Sequence, residues 1–447
     1  MFGIWSRFGF SGNPYSQETL PPDEMGSGLL VGRDSEVQQI QSRIASNGVH
    51  PSVEGPVGVG KTSLINVAIY RMTDACLRAK SGELYLAATQ RFQPIASAAD
   101  FELDVFRVVA QTLIRWKKSL PEVGLIEPDL TKLERWLNSP QYGTTGGGLS
   151  ILGSGANVEK ASEPNTSDGF ATSGFPAIVR NALEDSFPQG SGAIVCVLDN
   201  LEILETAGAA RSRLDELRDR LFNIPQLRWV LCGSRGIVSR ARTERLSGIF
   251  MPPLALPALS DADAIGAIAK RIEYFSVHNS QAPVTPTAFE FIYRAINSNM
   301  RDALAMAQDF SHWIADEYPD PSHLPNENER DDLLQVWLTE KAEQAFRDAA
   351  GVQARVWTFF EMVCSIGGRA GSSQYEDFDF GFQQQMSGAV TSLVNANLMV
   401  REVDPDNASR TINAITALGW LVYFYRARFE FPKPRADVTT PGGGVSS

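Results

Sequence analysis

Gly55-Pro56-Val57-Gly58-Val59-Gly60-Lys61-Thr62 is a complete GxxxxGK[ST] pattern, followed at once by the apolar, helix-like run Ser63-Leu64-Ile65-Asn66-Val67-Ala68-Ile69. Glycines at 55, 58 and 60 let the backbone turn its N–H groups inward on a polyanion. Lys61 is placed to reach β- and γ-phosphates, and the Thr62 hydroxyl to complete a Mg²⁺ shell. The helix beginning near Thr62 points its positive end at the same anion. The stretch from Gly55 to Ser63 therefore implies a nucleoside-triphosphate site.

Working outward, strands alternate with helices. Residues 28–33 make a short apolar approach, and a helix with Val37, Ile40 and Ile44 on its inner face starts near Ser35. The strand before the loop is weak, because Val49-His-Pro-Ser-Val53 carries a proline. Leu84–Ala88 reads as a strand, and an amphipathic helix runs from about Ser97 to Leu120. Ala193-Ile-Val-Cys-Val-Leu-Asp199 is a buried parallel-type strand ending in an acid, and Trp229–Gly233 is a second central strand. A doubly wound parallel α/β domain follows, spanning 28–256, with its ligand outside the strand carboxyl ends. A glycine-rich insertion at about 143–172 reads equally as a projecting β-ribbon or a disordered loop.

Beyond Pro257 the pattern is all-helical. Ser260 and Asp263 begin a helix bearing Ile265, Ile268 and Ile272, and two more helices complete a lid over 257–318. Residues 319–330 read as a linker. Residues 331–430 give three helices, an alternating strand pair across Met399–Ile412 and a last helix, the order of a winged helix; 431–447 read as a disordered tail. The aromatic arm 1–27 (Phe2, Ile4, Trp5, Phe8, Phe10) is expected to pack on this chain or on a neighbouring copy, with a partner or a membrane surface as the alternative.

The chemistry gathers at strand ends. Asp199 is placed to hold Mg²⁺. Asn200 follows it, where many ATPases carry glutamate; Glu202 reads either as the base that polarises water or as a solvated side chain. Ser234 and Arg235, at the end of the next strand, read as γ-phosphate ligands or as a loop cap. Arg240, Arg242 and Arg245 read as arginine fingers for a neighbouring subunit or as a solvated basic helix.

Taken in order, Val31-Gly-Arg33-Asp-Ser-Glu36, the phosphate loop, Val197-Leu-Asp-Asn-Leu-Glu202, Gly233-Ser-Arg-Gly236, Leu256-Pro-Ala-Leu-Ser260 and Asn299-Met-Arg301-Asp-Ala-Leu304 resemble the AAA+/STAND branch of P-loop ATPases, including origin-recognition-like initiators. The resemblance covers roughly 28–425. It implies ATP and Mg²⁺ as cofactors, Val31, Gly32 and Arg33 along adenine and ribose, and Arg301 as a sensor of the γ-phosphate. Asn200 departs from the pattern and points to slow turnover.

The function expected is an ATP switch controlling assembly with itself or with partner proteins, a kind of protein often serving prokaryotic defence or transposition. The alternative is a DNA-bound initiator or loader. Net charge −12 argues against non-specific coating of nucleic acid. Residues 351–447 hold eight basic side chains against nine acidic ones, which leaves little to anchor DNA phosphates. Four cysteines and four histidines are scattered without zinc spacing, and no apolar run is long enough to span a bilayer, so the cytoplasm is the expected location.

Overall fold

The computed structural model describes residues 3–94, 97–138, 174–201, 207–233, 244–277, 279–371, 374–404 and 407–428. The glycine-rich insertion, Glu202, Ser234, Arg235, Arg240, Arg242 and the tail lie outside them. Among the described residues no helix is long and apolar enough to cross a membrane.

Five parallel strands, β1 (Ser52–Glu54), β2 (Leu84–Ala87), β3 (Gly192–Leu198), β4 (Leu227–Gly233) and β5 (Leu254–Ala255), form one sheet in the order β2-β3-β4-β1-β5. β1 is short, as Pro51 before it requires, yet it is held on both sides: Val53 is opposite Cys232 of β4 and Leu254 of β5. Every residue of β3 and β4 is buried and, apart from Arg228, which bonds to Pro225 O and Asn47, the strands are apolar runs because helices cover both faces. The two-residue period sorts the side chains. Ile194, Cys196, Leu198, Trp229 and Leu231 meet the helix Ala98–Trp116. Ala193, Val195, Val197, Val230 and Cys232 meet the helices Asp34–Ala45 and Lys61–Ala79. β5 was not legible in the sequence; two residues give no period to detect.

β4 lies between the strand that feeds the phosphate loop and the strand that ends at Asp199. From β1 the chain leaves toward β2; from β4 it returns past β1 to β5. Neighbouring strands whose following segments diverge leave a crevice at their carboxyl ends, and the phosphate loop opens into it.

Three side-chain-capped helices follow. Ser260, Thr285 and Asn299 each accept backbone N–H bonds at the starts of Asp261–Phe275, Pro286–Ala295 and Met300–Glu317. The N-terminal arm belongs to their core: Phe8, Phe10 and Tyr15 are buried there, and the Tyr15 hydroxyl donates to Val284 O at 2.6 Å. Arg7 Nη2 donates to Ala315, Tyr318 and Pro319 carbonyls, tying the arm to the far end of the last of these helices.

The stretch read as a linker is partly helical. Asn326 and Glu329 form a reciprocal capping box that starts the helix Glu327–Asp348. Its first half (Leu333, Leu334, Trp337, Leu338) packs into the three-helix core, while Ala345 packs into the core of the last body. One continuous helix thus joins the two. The last body holds the helices Ala354–Ser365, Gln383–Asn395 and Ala417–Tyr423 and an antiparallel sheet β6 (Arg369–Gly371), β7 (Met399–Asp404) and β8 (Asn407–Ile415), ordered β6-β8-β7. β6 is an addition to the strand pair expected from sequence. Met386, Val390, Leu393 and Leu398 are buried as their spacing requires, but Phe382 is exposed, since it precedes the helix in extended backbone.

Candidate nucleotide site

The loop between β1 and the helix Lys61–Ala79 takes its shape from two left-handed glycines, Gly58 (φ +82°) and Gly60 (φ +94°). Gly58 is constrained twice. A Cβ there would lie 2.4 Å from Asn299 Oδ1 and 3.0 Å from Arg301 Cβ. The Lys61 ammonium is buried and folds back over the loop, donating to Gly55 O at 3.0 Å and Pro56 O at 3.1 Å. An ammonium has three donors, so one is left for a ligand in this grip.

Across the crevice, Thr62 Oγ1 donates to Asp199 Oδ2 at 2.9 Å. The other carboxylate oxygen accepts from the Asn200 N–H at 2.9 Å, with Asn200 in left-handed backbone (φ +59°). A hydroxyl and a carboxylate oxygen facing each other beside a phosphate loop suit a hard cation such as Mg²⁺, which takes one or two protein oxygens and fills its shell from phosphates and water. Arg91, just past β2, reaches the same Oδ2 at 3.4 Å.

These groups line a cleft of about 110 Å³ whose walls come from four parts of the chain: loop residues Val57, Gly58 and Gly60–Ser63, Asp199 and Asn200, arm residues Gln17–Thr19, and Arg271, Met300, Arg301 and Leu304 of the helices beyond the sheet. Arg301 follows the capping Asn299, whose Nδ2 also donates to Val57 O at 3.4 Å. The structure thus brings together Val57, Gly58, Gly60, Lys61, Thr62, Ser63, Asp199 and Arg301 of the residues expected from sequence. Pro56 and Val59 line a neighbouring cavity of about 400 Å³, reached also by Arg301, Arg369 and Trp420.

The approach segment is elsewhere. Gly32 lies close against Asp263, Val31 against Gly266, and the Arg33 guanidinium is spent on Glu36 (3.1 Å) and Pro257 O (2.6 Å). None of the three lines either cavity. Sequence reasoning missed Arg91, Arg271 and the arm. Arg271 sits in an Ala-Lys-Arg run that reads as a solvated helix face, and nothing in residues 16–20 resembles a phosphate-site element.

No protein-family model and no curated protein matches the chain. Solved structures do match. The chain is similar to the Aeropyrum pernix ORC2 protein in its ADPNP–ADP complexes (12% identity, 92% of this chain and 97% of that one, TM-score 0.46). It is similar to a Walker-type ATPase of Pyrococcus abyssi (11%, 92% and 99%, 0.42) and to the Aeropyrum pernix ORC1 protein in complex with DNA (14%, 91% and 96%, 0.40). At such identities and scores the assignment of a P-loop α/β fold rests on this chain's own strand order and phosphate loop.

Proposed function

We propose that the chain is a Mg²⁺-dependent ATP-binding and slowly hydrolysing switch of the AAA+/STAND type, whose nucleotide state controls assembly with itself or with a partner protein. One observation carries this reading: the phosphate loop is where three bodies meet. Asn299 and Arg301 sit directly on Gly58, and the last body closes the adjoining cavity with Arg369 and Trp420. A triphosphate in the loop therefore competes for space and charge with contacts that hold the helical bodies down. Its differential affinity for the open and closed arrangements is what couples occupancy to shape.

In this reading Lys61 and the loop N–H groups hold the β- and γ-phosphates, while Thr62 and Asp199 hold Mg²⁺, which would offset charge on the phosphate oxygens. Arg301 reports the terminal phosphate. Turnover is slow because Asn200 offers an amide, which takes no proton from water, in the position next to Asp199. Glu202 is the proposed base, with Ser234 and Arg235 as further phosphate ligands. Calorimetry with Mg-ATP, followed by light scattering of the same samples, tests this. Binding with a nucleotide-dependent rise in mass is expected; uptake of no nucleotide would end the reading.

A second reading has its own support. The helix Gln383–Asn395 presents Gln383, Gln384, Gln385, Ser387 and Thr391 to solvent beside a three-stranded sheet, as a winged helix reading adenine edges would. It makes the chain an origin-recognition-like DNA-binding ATPase, and steep, salt-dependent duplex binding would establish it.

A further inference from the structure

Arg271 belongs to the helix Asp261–Phe275 and lies at the cleft, yet no part of the function above uses it. Its side chain is buried, with 8% of its surface exposed. Among the described residues it has no ion pair with a carboxylate; its Nη1 donates to the Ser16 carbonyl at 2.7 Å. Burial alone pushes its pKa down to about 10. An unpaired buried guanidinium is costly unless something supplies the missing charge, and the space it borders is shared with Lys61, Thr62 and Arg301.

The acceptor Arg271 now uses is part of a strap. After Ser16 the arm lines the cleft with Gln17, Glu18 and Thr19. It is then pinned to the phosphate-loop helix: Leu20 N–H donates to Ser63 Oγ at 3.1 Å, and Asn66 Nδ2 donates to Leu20 O at 2.8 Å. The strap therefore joins the Arg271 helix to the helix that starts at Lys61.

We propose that Arg271 is a terminal-phosphate ligand of this cleft, and that the Ser16 carbonyl occupies its guanidinium until a γ-phosphate displaces it and loosens the strap. The inference rests on the triphosphate reading above and adds to it a second cationic reporter, on a different helix from Arg301. A carbonyl is a neutral acceptor; a phosphate group offers two charged oxygens that match the guanidinium fork. The exchange is therefore driven by triphosphate and not by a diphosphate, whose last phosphate stops at the loop.

The test compares Mg-ATPγS and Mg-ADP on the full chain. By calorimetry, Arg271→Met is expected to weaken ATPγS by about 10- to 100-fold, the range for losing one charged hydrogen-bonding group, and ADP by less than about threefold, with Arg271→Lys, which keeps the charge but not the fork, recovering only part of the loss. Equal losses on both nucleotides, or none, would overturn the assignment. Wild-type protein that takes up neither nucleotide would instead remove the triphosphate reading beneath it. Hydrogen exchange on the wild-type chain needs no variant to fold: amides 17–20 should exchange faster with ATPγS than with ADP. Equal or slower exchange counts against the strap.

Discussion

At the phosphate loop, Lys61, Arg271 and Arg301 line one cleft, and among the described residues none forms an ion pair with a carboxylate; Asp199 in the same cleft is engaged by Thr62, Asn200 and Arg91. The last body commits three of its cations to its own fold, while Arg401 of β7, exposed, donates to Thr391 Oγ1. Arg369 is paired with Glu402 at 3.1 Å, Arg355 lies 5.0 Å over the Phe380 ring and donates to Asp379 O, and Arg426 sits 4.6 Å over Phe346 and 4.4 Å over Trp357 with Glu361 at 3.6 Å. Cations committed to their own fold hold a body together; cations left without acids wait for an anion. On the function proposed above, the difference favours a small polyanion in the cleft over a long one on the last body.

The largest expected effect attacks the first half of that contrast. Lys61→Ala removes a buried ammonium that shapes the loop through Gly55 O and Pro56 O and leaves its third donor for the ligand, a charged hydrogen bond worth about 1.5–3 kcal/mol. Mg-ATP affinity should fall by about a hundredfold or more, measured by calorimetry with thermal unfolding as the check on folding. Unchanged affinity would mean that the cleft is not where nucleotide binds.

Much of that cleft was legible, and the reason is local. Gly58, Gly60, Lys61 and Thr62 do their work within a single turn, so their spacing alone reveals them; Asp199 is announced by the apolar run it terminates. Arg271 and Ser16 are 255 residues apart, and their meeting depends on how the arm threads through the three-helix core, which no periodicity records. The same holds for β5 and β6, two and three residues long, which exist only because longer neighbours offer them hydrogen bonds. The capping box that makes residues 327–330 helical was readable, but a cluster of Pro, Asn, Asp and Glu reads more strongly as loop. The approach segment is a different case: Val31, Gly32 and Arg33 match a pattern in sequence, and in this arrangement the Arg33 guanidinium is bonded to Glu36 and Pro257 O while Gly32 lies close against Asp263 and Val31 against Gly266.

A second prediction separates the two regions by acid. His50, just before β1, is buried; its Nδ1 accepts the Trp229 N–H at 3.2 Å, so Nε2 carries the proton and donates to Phe222 O at 2.9 Å. Burial, with Arg228 nearby, pushes its pKa from 6.5 down to about 4. The folded form therefore favours the neutral ring, and its contribution is fully present above pH 6.5 and lost as pH falls toward 4. At pH 5 the sheet should have lost about 2 kcal/mol relative to pH 7 by linkage. No histidine lies in residues 327–428, so the last body should lack this source of acid sensitivity. Thermal unfolding followed at both pH values should show the gap between the two regions change, and His50→Gln should remove much of the slope; a slope identical in His50→Gln would assign it to other groups.

Arg426 sharpens the other half. Its guanidinium lies over two rings, an arrangement worth about 0.5–1 kcal/mol per exposed contact, and Arg426→Met should destabilise the last body by about 1 kcal/mol in denaturant unfolding. Nucleotide affinity should stay within twofold. A variant that unfolds no more readily, but loses affinity for an anion, would move Arg426 from the structural class to the binding class.

The smallest effect is the most discriminating between the two functional readings. Arg369 and Glu402 are each nearly half exposed, and such a pair contributes well under about 1 kcal/mol, so Arg369→Ala should hardly change stability. Its value lies in the salt dependence of duplex DNA binding. Each phosphate neutralised by a cation adds about −0.9 to the slope of log K against log salt concentration. With Arg355, Arg369 and Arg426 engaged inside the fold, wild-type protein should show a shallow slope, and Arg369→Ala should leave it where it was. A steep slope that becomes shallower by about one unit in the variant would show that Glu402 gives up its partner to a phosphate. In that case the last body's ion pairs are reserves, the contrast drawn between the two ends dissolves, and the DNA-binding reading becomes the stronger one.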